Sequence, residues 1–431
     1  MKDKEYIVFD PRDFIRSPFW TCPKCGATDS FGVLMICANH YVRRCKNCRF
    51  DDSFSLPKLN KKILYIDQMA ISNMMKALNP ATKAYQKGTV DNFWFEMFEK
   101  LDTLVKLQVL ICPDSCSHMD ESILSAFYQP LKRMYELLSH GVSFYDSQTI
   151  KRFQIINHVE KYISGKSAEI DLDIHRIVHG NINDWQDRFI ISVSSNIGEE
   201  LIDEIREHRE KAHEQFVEIA KYWQSCKDKS FQDFFETEAK AFGETNIQVY
   251  LRFNERIAYL AKNPDKIMSP LEFMPPDAVV LINEIASHFI KAGVSESEGL
   301  VQAFKYLTSP SMRDIPFIKI SSMLYAALAR KYVSGRKKPP NQGMFTDIET
   351  ISLLLPYCDA MFIDNECHGY LQENPLKESI NYNARTFCQN TKKEFFEYLD
   401  KIFSDISPEH ISKVQEVYGS DWPQPYTSLY K

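Results

Sequence analysis

Two pairs of cysteines near the N-terminus have the residue types and the spacing of metal ligands. Cys22 and Cys25 form one C-x-x-C motif, Cys45 and Cys48 form a second, and residues 26–44 separate the two motifs. Zn²⁺ in a structural site takes four ligands in a tetrahedron, and each motif supplies two thiolates from one tight turn. The sequence therefore predicts a structural zinc site without an open coordination position for catalysis.

The segment around these motifs resembles a zinc ribbon over about residues 20–50. Residues 31–36 have the pattern of a short strand. Cys37 and His40 lie between the motifs, and we interpret them as core or surface residues rather than as ligands. Because so small a module has too little core to be stable without a cross-link, we expect zinc to stabilise residues 1–58.

A second set of candidate ligands consists of carboxylates that end predicted strands. Asp67 ends the apolar run ILYID, and Asp364 ends the apolar run AMFID. Such runs are typical of buried strands in a parallel sheet. Because the carboxyl ends of parallel strands meet at one edge of the sheet, these two carboxylates can converge there.

Two further acidic residues are predicted to reach the same edge from helices. Glu121 lies three residues after His118, on the same face of a predicted helix. Asp347 lies near the start of the helix that precedes the AMFID strand. Asp114 and Asp120 are alternatives to Glu121. We interpret His118 either as a contact to phosphate or to a metal-bound water, or as a satisfied buried histidine.

Clustered carboxylates favour a hard divalent cation, because like charges repel unless a cation neutralises them. Mg²⁺ and Mn²⁺ prefer oxygen ligands, activate water and stabilise the charge of an in-line phosphoryl displacement. The pattern therefore predicts a catalytic Mg²⁺ or Mn²⁺ site built by Asp67, Glu121, Asp347 and Asp364.

The segments LYIDQ, CPDSCSHMDES and FTDIETISLLLPYCDAMFIDN resemble the dispersed acidic pattern of PIN-domain nucleases. The resemblance covers about residues 62–125 and 343–404. It implies a parallel sheet sandwiched by helices, Mg²⁺- or Mn²⁺-dependent endonuclease activity most often directed at RNA, and metal-ligand roles for Asp67, Asp347 and Asp364. A role as a toxin or in antiviral defence is implied by analogy with the family alone.

Several other polar residues are weaker candidates for a catalytic or metal-binding role. Asp359 enters its strand at the end opposite Asp364, so we interpret it as structural, and Glu349 lies close to the late acidic motif. His175 and His179 are one helical turn apart, but without an HExxH glutamate we interpret them as the face of a helix. The chain contains no GxSxG, Walker A or GxGxxG motif, so serine-hydrolase, P-loop and dinucleotide-binding functions have no support.

The elements that must position these residues indicate an α/β fold. Strand, helix and strand in succession imply a parallel sheet. The middle of the chain is mostly helical and far too long to be a connection inside one compact domain. Strands are predicted over 63–67, 109–113, 360–364 and 384–388, and helices over 91–106, 348–355 and 392–404. We divide the chain into a zinc ribbon module (1–58), a PIN-like domain in two parts (59–125 and 336–405), a helical insertion (126–335) and a C-terminal tail (406–431).

Composition and charge limit the partners. The chain has 431 residues, 44% of them hydrophobic, without the run of about 18 apolar residues that spans a bilayer. Its start is charged where a signal peptide would be apolar, so we expect a cytoplasmic protein that binds no membrane. The net charge of −6 means that nucleic-acid binding would need local basic patches. The two candidate patches are Arg43, Arg44, Lys46 and Arg49, and Arg330, Lys331, Arg336, Lys337 and Lys338.

The leading interpretation is a metal-dependent ribonuclease with structural Zn²⁺ and catalytic Mg²⁺ or Mn²⁺. RNA would be the substrate, and we expect Arg336, Lys337 and Lys338 to help hold it. A regulatory protein partner or a homo-oligomer is left open. The alternative is a zinc ribbon that binds nucleic acid or protein, carried on a catalytically inactive PIN-like scaffold.

Overall fold

The computed structural model describes residues 14–165, 170–188, 198–266 and 269–431. Its strands are β1 (Arg16–Trp20), β2 (Phe31–Cys37), β3 (His40–Cys45), β4 (Asp51–Ser55), β5 (Lys62–Ile66), β6 (Leu110–Ile111), β7 (Ser143–Phe144), β8 (Val178–His179), β9 (Ala360–Phe362) and β10 (Arg385–Phe387). Its α-helices are α1 (Gln68–Leu78), α2 (Lys83–Gln86), α3 (Asn92–Lys106), α4 (Cys116–Ile123), α5 (Tyr128–Ser139), α6 (Ser147–Ser164), α7 (Glu199–Ser225), α8 (Phe231–Lys262), α9 (Asp277–Lys291), α10 (Glu296–Leu307), α11 (Pro316–Val333), α12 (Met344–Leu354), α13 (Asn365–Gln372), α14 (Leu376–Ser379), α15 (Lys392–Ser404) and α16 (Pro408–Tyr418).

The N-terminal strands form a four-stranded antiparallel sheet in the order β1-β2-β3-β4. The β2–β3 hairpin pairs Phe31 with Cys45 at its open end and Cys37 with His40 at its turn. The strand predicted over residues 31–36 is therefore confirmed as β2. This sheet holds both cysteine motifs.

The predicted parallel sheet is confirmed, with four strands in the order β10-β9-β5-β6. Every pair of neighbouring strands in it is parallel. Ile66, the last residue of β5, pairs with Phe362, the last residue of β9. These two strands therefore end side by side at the same edge of the sheet.

Helices cover both faces of the parallel sheet, because successive strand residues are apolar and point to opposite faces. Leu64 and Phe362 pack into a core with α1, α3, α5 and α15. Tyr65 and Met361 pack into a second core with α6, α11 and α12. The predicted helices over 91–106 and 392–404 are confirmed as α3 and α15, and each begins and ends within one residue of the predicted bounds.

The region between β6 and β9 is mostly helical, as predicted. Its two described strands, β7 and β8, have two residues each and form a small antiparallel sheet. Helix α11 packs against α7, α8 and α12, and its buried side chains join the core on one face of the parallel sheet. The helical insertion therefore shares a hydrophobic core with the parallel sheet. The segment boundaries that we assigned from sequence stay predictions.

The C-terminal tail docks on the zinc module. Val414 and Val417 of α16 pack with Val33, Tyr41 and the buried ring of Trp185. In the part of the chain that the structure describes, no single helix has both the length and the apolar character to cross a membrane, although one pair bent by 119° passes the same test jointly.

Candidate metal centres

The four predicted cysteine ligands form one cluster in the antiparallel sheet. Their Sγ atoms all lie within 4.8 Å of one another. The Sγ atoms of Cys22 and Cys48 are 3.6 Å apart, and those of Cys25 and Cys45 are 3.8 Å apart. Sulfurs at the usual Zn–S distance from one tetrahedral Zn²⁺ are about 3.8 Å apart, so the cluster fits a structural zinc ion.

The surroundings of Cys45 favour its thiolate. Burial favours the neutral thiol, but the Ser30 hydroxyl and the backbone N–H groups of Asn47 and Cys48 approach the sulfur at 3.4–3.5 Å. Together these contacts lower the pKa of Cys45 to about 6. Because the thiolate is the form that binds metal, the turn prepares this sulfur for zinc.

Arg43 joins the zinc module to the C-terminal helix and is not part of a basic surface. The side chain is fully buried, and its guanidinium carbon lies 3.3 Å from the centre of the Trp20 ring. It donates hydrogen bonds to the carbonyl oxygens of Pro18 (2.7 Å) and Phe31 (3.1 Å) in the module, and of Glu416 (2.8 Å) in α16. The prediction that Arg43 belongs to a basic surface patch is therefore wrong, because its guanidinium is buried and both terminal nitrogens bind backbone carbonyl oxygens.

Asp67 and Asp364 lie at the shared carboxyl edge of β5 and β9, as predicted. Asp67 caps α1, where its carboxylate accepts from the Met69 N–H at 3.3 Å. Asp364 caps α13, where its Oδ1 accepts from the N–H groups of Glu366 (2.7 Å) and Cys367 (3.1 Å). The other oxygen, Oδ2, is buried and has no hydrogen-bond partner among the described residues. Asp364 therefore presents one unsatisfied carboxylate oxygen to the site.

Asp347 meets Asp364 from the first turn of α12. Ligand atoms of Asp347, Asp364 and Cys367 all lie within 4.8 Å of one another. Cys367 is fully buried, and sequence reasoning missed it. Its position three residues after Asp364, in the first turn of the helix that Asp364 caps, was the available signal. Among the described residues, Asp67 and Glu121 lie outside this group. The four predicted carboxylates are therefore not all within 4.8 Å of one another.

Electrostatics nevertheless link all four predicted carboxylates. Burial, together with the charges of Glu121 and Asp364, raises the pKa of Asp67 to about 7. Burial and the charges of Asp67, Asp364 and Glu121 raise the pKa of Asp347 to about 9. A divalent cation would neutralise this repulsion, so the group around Asp347 and Asp364 is a possible metal site.

Glu121 is the best placed of the three candidates on or before α4. Burial raises the pKa of Glu121, whereas Arg209 of α7, 3.8 Å away, lowers it. Asp114 lies elsewhere, because Glu136, Ser139 and Lys132 are the groups that act on it besides burial. Asp120 faces Arg209 and Glu349. Glu121 is the one that raises the pKa of both Asp67 and Asp347.

His118 is a satisfied buried histidine, which is one of its two predicted roles. Its Nδ1 accepts from the Ser115 N–H at 3.1 Å, so Nε2 donates to the Ile66 carbonyl oxygen at 2.6 Å. The ring is stacked between Tyr65 and Tyr135, and burial lowers the pKa of His118 to about 4. The neutral ring thus ties α4, which carries Glu121, to the residue that precedes Asp67.

The remaining candidates are structural. Asp359 accepts from the Ile63 N–H (2.9 Å) and from Lys62 Nζ (2.8 Å), as expected for the opposite end of the strand. Glu349 pairs with a lysine of α6, Lys151. The prediction that His175 and His179 share a helix face is wrong, because the first lies in a 3₁₀ turn and the second in β8.

The basic segment after α11 was predicted to hold RNA through Arg336, Lys337 and Lys338, and the structure separates these three residues. Arg336 forms an ion pair with Glu366 and donates to the Tyr370 hydroxyl at 3.0 Å, so its guanidinium is held against α13. Lys337 and Lys338 are exposed. Two of the three predicted substrate contacts therefore remain accessible, and the third braces the helix that Asp364 caps.

Comparison with known proteins identifies no relative. No protein-family model, no curated protein and no solved structure matches this chain. The two centres are distinguished by their own chemistry. One is a closed set of four cysteine sulfurs, and the other is a group of carboxylates with one unsatisfied oxygen.

Proposed function

We propose that this chain is a PIN-like, metal-dependent ribonuclease that hydrolyses phosphodiester bonds of RNA at the carboxylate cluster. The observation that carries the proposal is the meeting of Asp347 with Asp364 near the carboxyl edge of a parallel sheet, with the charges of Asp67 and Glu121 acting on Asp347. Buried like charges destabilise a folded chain. A cation-dependent activity would explain why the fold retains them.

A bound Mg²⁺ or Mn²⁺ would lower the pKa of a water ligand and neutralise the charge that develops on the phosphoryl group. Asp364 would contribute Oδ2, because its Oδ1 already accepts two backbone N–H groups. Asp347 would contribute from α12 beside it, and Asp67 from the neighbouring strand. Glu121, which His118 positions through α4, would accept a hydrogen bond from the attacking water.

We assign the zinc module a supporting role in this enzyme. Its cysteines leave no open coordination position, and both terminal nitrogens of Arg43 donate to backbone carbonyl oxygens within the fold. The module covers the C-terminal helix with an apolar surface. This arrangement favours a module that stabilises the rest of the fold over a module that binds nucleic acid or protein independently.

The test is cleavage of labelled RNA by the purified chain in Mn²⁺, together with a Mn²⁺ titration by calorimetry. We expect Asp364→Asn to lower both cleavage and Mn²⁺ affinity by more than the roughly 10–100-fold that loss of an outer-shell partner costs. The matched control is Asp228→Asn, an exposed aspartate in the turn before α8, which should change neither.

Zinc content should be the same in wild type, Asp364→Asn and Asp228→Asn, which shows that the cysteine site is intact in all three. Cleavage that persists in an Asp67→Asn, Asp364→Asn double variant would contradict the proposal, as would a wild-type chain that binds no Mn²⁺.

A further inference from the structure

The group of ligand atoms near the carboxyl edge of the parallel sheet contains a sulfur as well as oxygens. Ligand atoms of Asp347, Asp364 and Cys367 all lie within 4.8 Å of one another. The resemblance to PIN-domain nucleases implies Mg²⁺ or Mn²⁺ with carboxylate ligands. Mg²⁺ takes oxygen ligands, whereas thiolates select softer transition metals such as Zn²⁺. The donor atoms of this group therefore differ from those that the resemblance implies.

We propose that Cys367 is a metal ligand and that, with Asp347 and Asp364, it forms a site that prefers a divalent transition metal such as Zn²⁺ or Co²⁺ over Mg²⁺. The inference rests on the metal site of the proposed function, but not on RNA being the substrate. Binding forms a metal–sulfur bond and releases the thiol proton to the buffer. No change of oxidation state is involved.

The start of α13 fixes Cys367 next to one of the carboxylates. Cys367 is in the first turn of the helix that Asp364 caps. Its N–H donates to Oδ1 of Asp364 at 3.1 Å, and its side chain is fully buried. The thiol and the carboxylate are therefore held close together before any metal binds, and ligands that are already ordered lose little entropy on binding.

Asp364 has an oxygen available for a cation. Its Oδ2 is buried and has no hydrogen-bond partner among the described residues. Leaving such an oxygen unsatisfied costs free energy, which a bound cation would recover. Asp347 and Asp364 are only partly buried. The group is therefore accessible to a cation from solvent even though Cys367 is fully buried.

A second sulfur lies beside Cys367. The Sδ atom of Met344, a fully buried residue at the start of α12, is 3.7 Å from the Sγ atom of Cys367. Two sulfurs on one tetrahedral Zn²⁺ are about 3.8 Å apart. Met344 precedes Asp347 by three residues, so the first turn of α12 supplies a thioether and a carboxylate. The distance also suits an S–H···S hydrogen bond, which a spectroscopic test separates from metal ligation.

The experiment titrates Co²⁺ into the full chain while zinc occupies the cysteine cluster. Cobalt bound to a thiolate absorbs in the near ultraviolet through sulfur-to-metal charge transfer, and cobalt bound only to oxygens does not. We expect this band in the wild type and its loss in Cys367→Ala. Met344→Leu, which has a similar volume, should keep the band because the thiolate remains. Zinc content, measured by mass spectrometry before and after, checks that Co²⁺ has not displaced zinc.

Metal preference is the second measurement. In competition titrations, Cys367→Ala should lower the Zn²⁺ affinity of this site by more than the roughly 10–100-fold that loss of an outer-shell partner costs. It should leave Mg²⁺ affinity within about twofold, because Mg²⁺ does not use the sulfur. The matched control is Cys358→Ala, a buried cysteine before the opposite end of β9, which should change neither affinity nor the band. Thermal unfolding of each metal-free variant checks that it is folded.

A wild-type chain without the sulfur band would overturn the inference, as would equal losses of Zn²⁺ and Mg²⁺ affinity in Cys367→Ala, because the cysteine would then act through packing alone. A band that disappears in Met344→Leu or Cys358→Ala and persists in Cys367→Ala would also overturn it. If the wild type binds Mn²⁺ and cleaves RNA but shows no band with Co²⁺, the inference alone fails. If the band appears and no cation supports cleavage, the proposed function fails and the metal site stands.

Discussion

The cysteine cluster takes its four sulfurs from residues 22–48 of one antiparallel sheet, whereas the carboxylate cluster takes its oxygens from residues 67–364. In the first, a hairpin and two tight turns bring the ligands together, so their spacing in sequence encodes their geometry. In the second, β5, α4, α12 and the start of α13 each contribute one carboxylate, and the whole insertion must fold between them.

The two clusters also differ in what they require without a metal. Thiols with the ordinary pKa of about 8.5 are mostly neutral at pH 7, whereas ionised carboxylates that are buried together repel one another. We therefore expect a bound cation to relieve repulsion at the carboxylate site, and bound zinc to cross-link the cysteine module. Loss of metal should accordingly have different consequences at the two sites.

Cys45→Ser should have the largest effect on folding. It removes a zinc ligand, and zinc contributes roughly 10–16 kcal/mol to folding in isolated zinc-finger peptides. We expect loss of zinc, measured by mass spectrometry, and loss of protease protection of β1–β4 and α16. The matched change is Cys37→Ser, an exposed cysteine of the same sheet, which should leave both unaffected. A folded, zinc-free Cys45→Ser module would break the distinction drawn between the two sites.

Glu121→Gln should weaken Mn²⁺ binding by roughly 10–100-fold, the cost of losing a supporting ligand or partner. Asp114→Asn removes an aspartate before the same helix that lies among Glu136, Ser139 and Lys132 and away from the cluster, and it should leave Mn²⁺ binding within twofold. Calorimetric titration of both variants sharpens the assignment of the second acidic position. The reverse order of effects would move that position to Asp114.

Arg43→Lys should destabilise the chain by about 1–3 kcal/mol, because lysine cannot replace the forked hydrogen bonds of a buried guanidinium. The midpoint of urea unfolding measures the loss. Arg44→Lys, at the next residue of β3, where the side chain is half-buried, is the control and should be neutral. Zinc content should be unchanged in both variants. This result would show that Arg43 stabilises the contact with α16 and is not needed for zinc binding.

The last expected effect is on the pH dependence of stability. Unfolded aspartates titrate near pH 4, whereas the folded-state pKa is about 7 for Asp67 and about 9 for Asp347. The folded chain thus binds more protons between pH 5 and 8, and these two groups make it less stable as pH rises. We therefore expect the contribution of these two groups to lower Tm as the pH rises across this range.

Comparison of wild type with an Asp67→Asn, Asp347→Asn variant isolates this contribution, since the other titrating groups are common to both chains. The difference in slope should vanish when Mn²⁺ is added to the wild type, because the cation binds the ionised carboxylates. An identical pH dependence of Tm in the two metal-free chains would show that the cluster is not strained.

The sequence was sufficient for elements whose signal is local. The apolar runs that became β5 and β9, the amphipathic pattern of α3 and the spacing of the cysteines all depend on residues near one another in the chain. The convergence of Asp67 and Asp364 also followed, because the edge rule for parallel strands needs only strand direction. These features were predicted for physical reasons that the structure bears out.

Contacts that cross the chain could not be read from sequence. Arg209 of α7 lies 3.8 Å from Glu121 of α4, and nothing in the sequence around either residue indicates this contact. The burial of Arg43 depends on Glu416, which is 373 residues away. A surface arginine and a buried one have the same sequence signature, so only packing separates them.

The pairing of β5 with β9 also determines when the parallel sheet can form during translation. Asp67 and Asp364 are 297 positions apart (364 − 67), and translation adds about 5–20 residues per second, so roughly 15–60 seconds pass between them. The cysteine module can close long before, on the nascent polypeptide. The proposed catalytic activity at the sheet edge requires that Asp364 has been synthesised, so products terminated before this residue would be inactive.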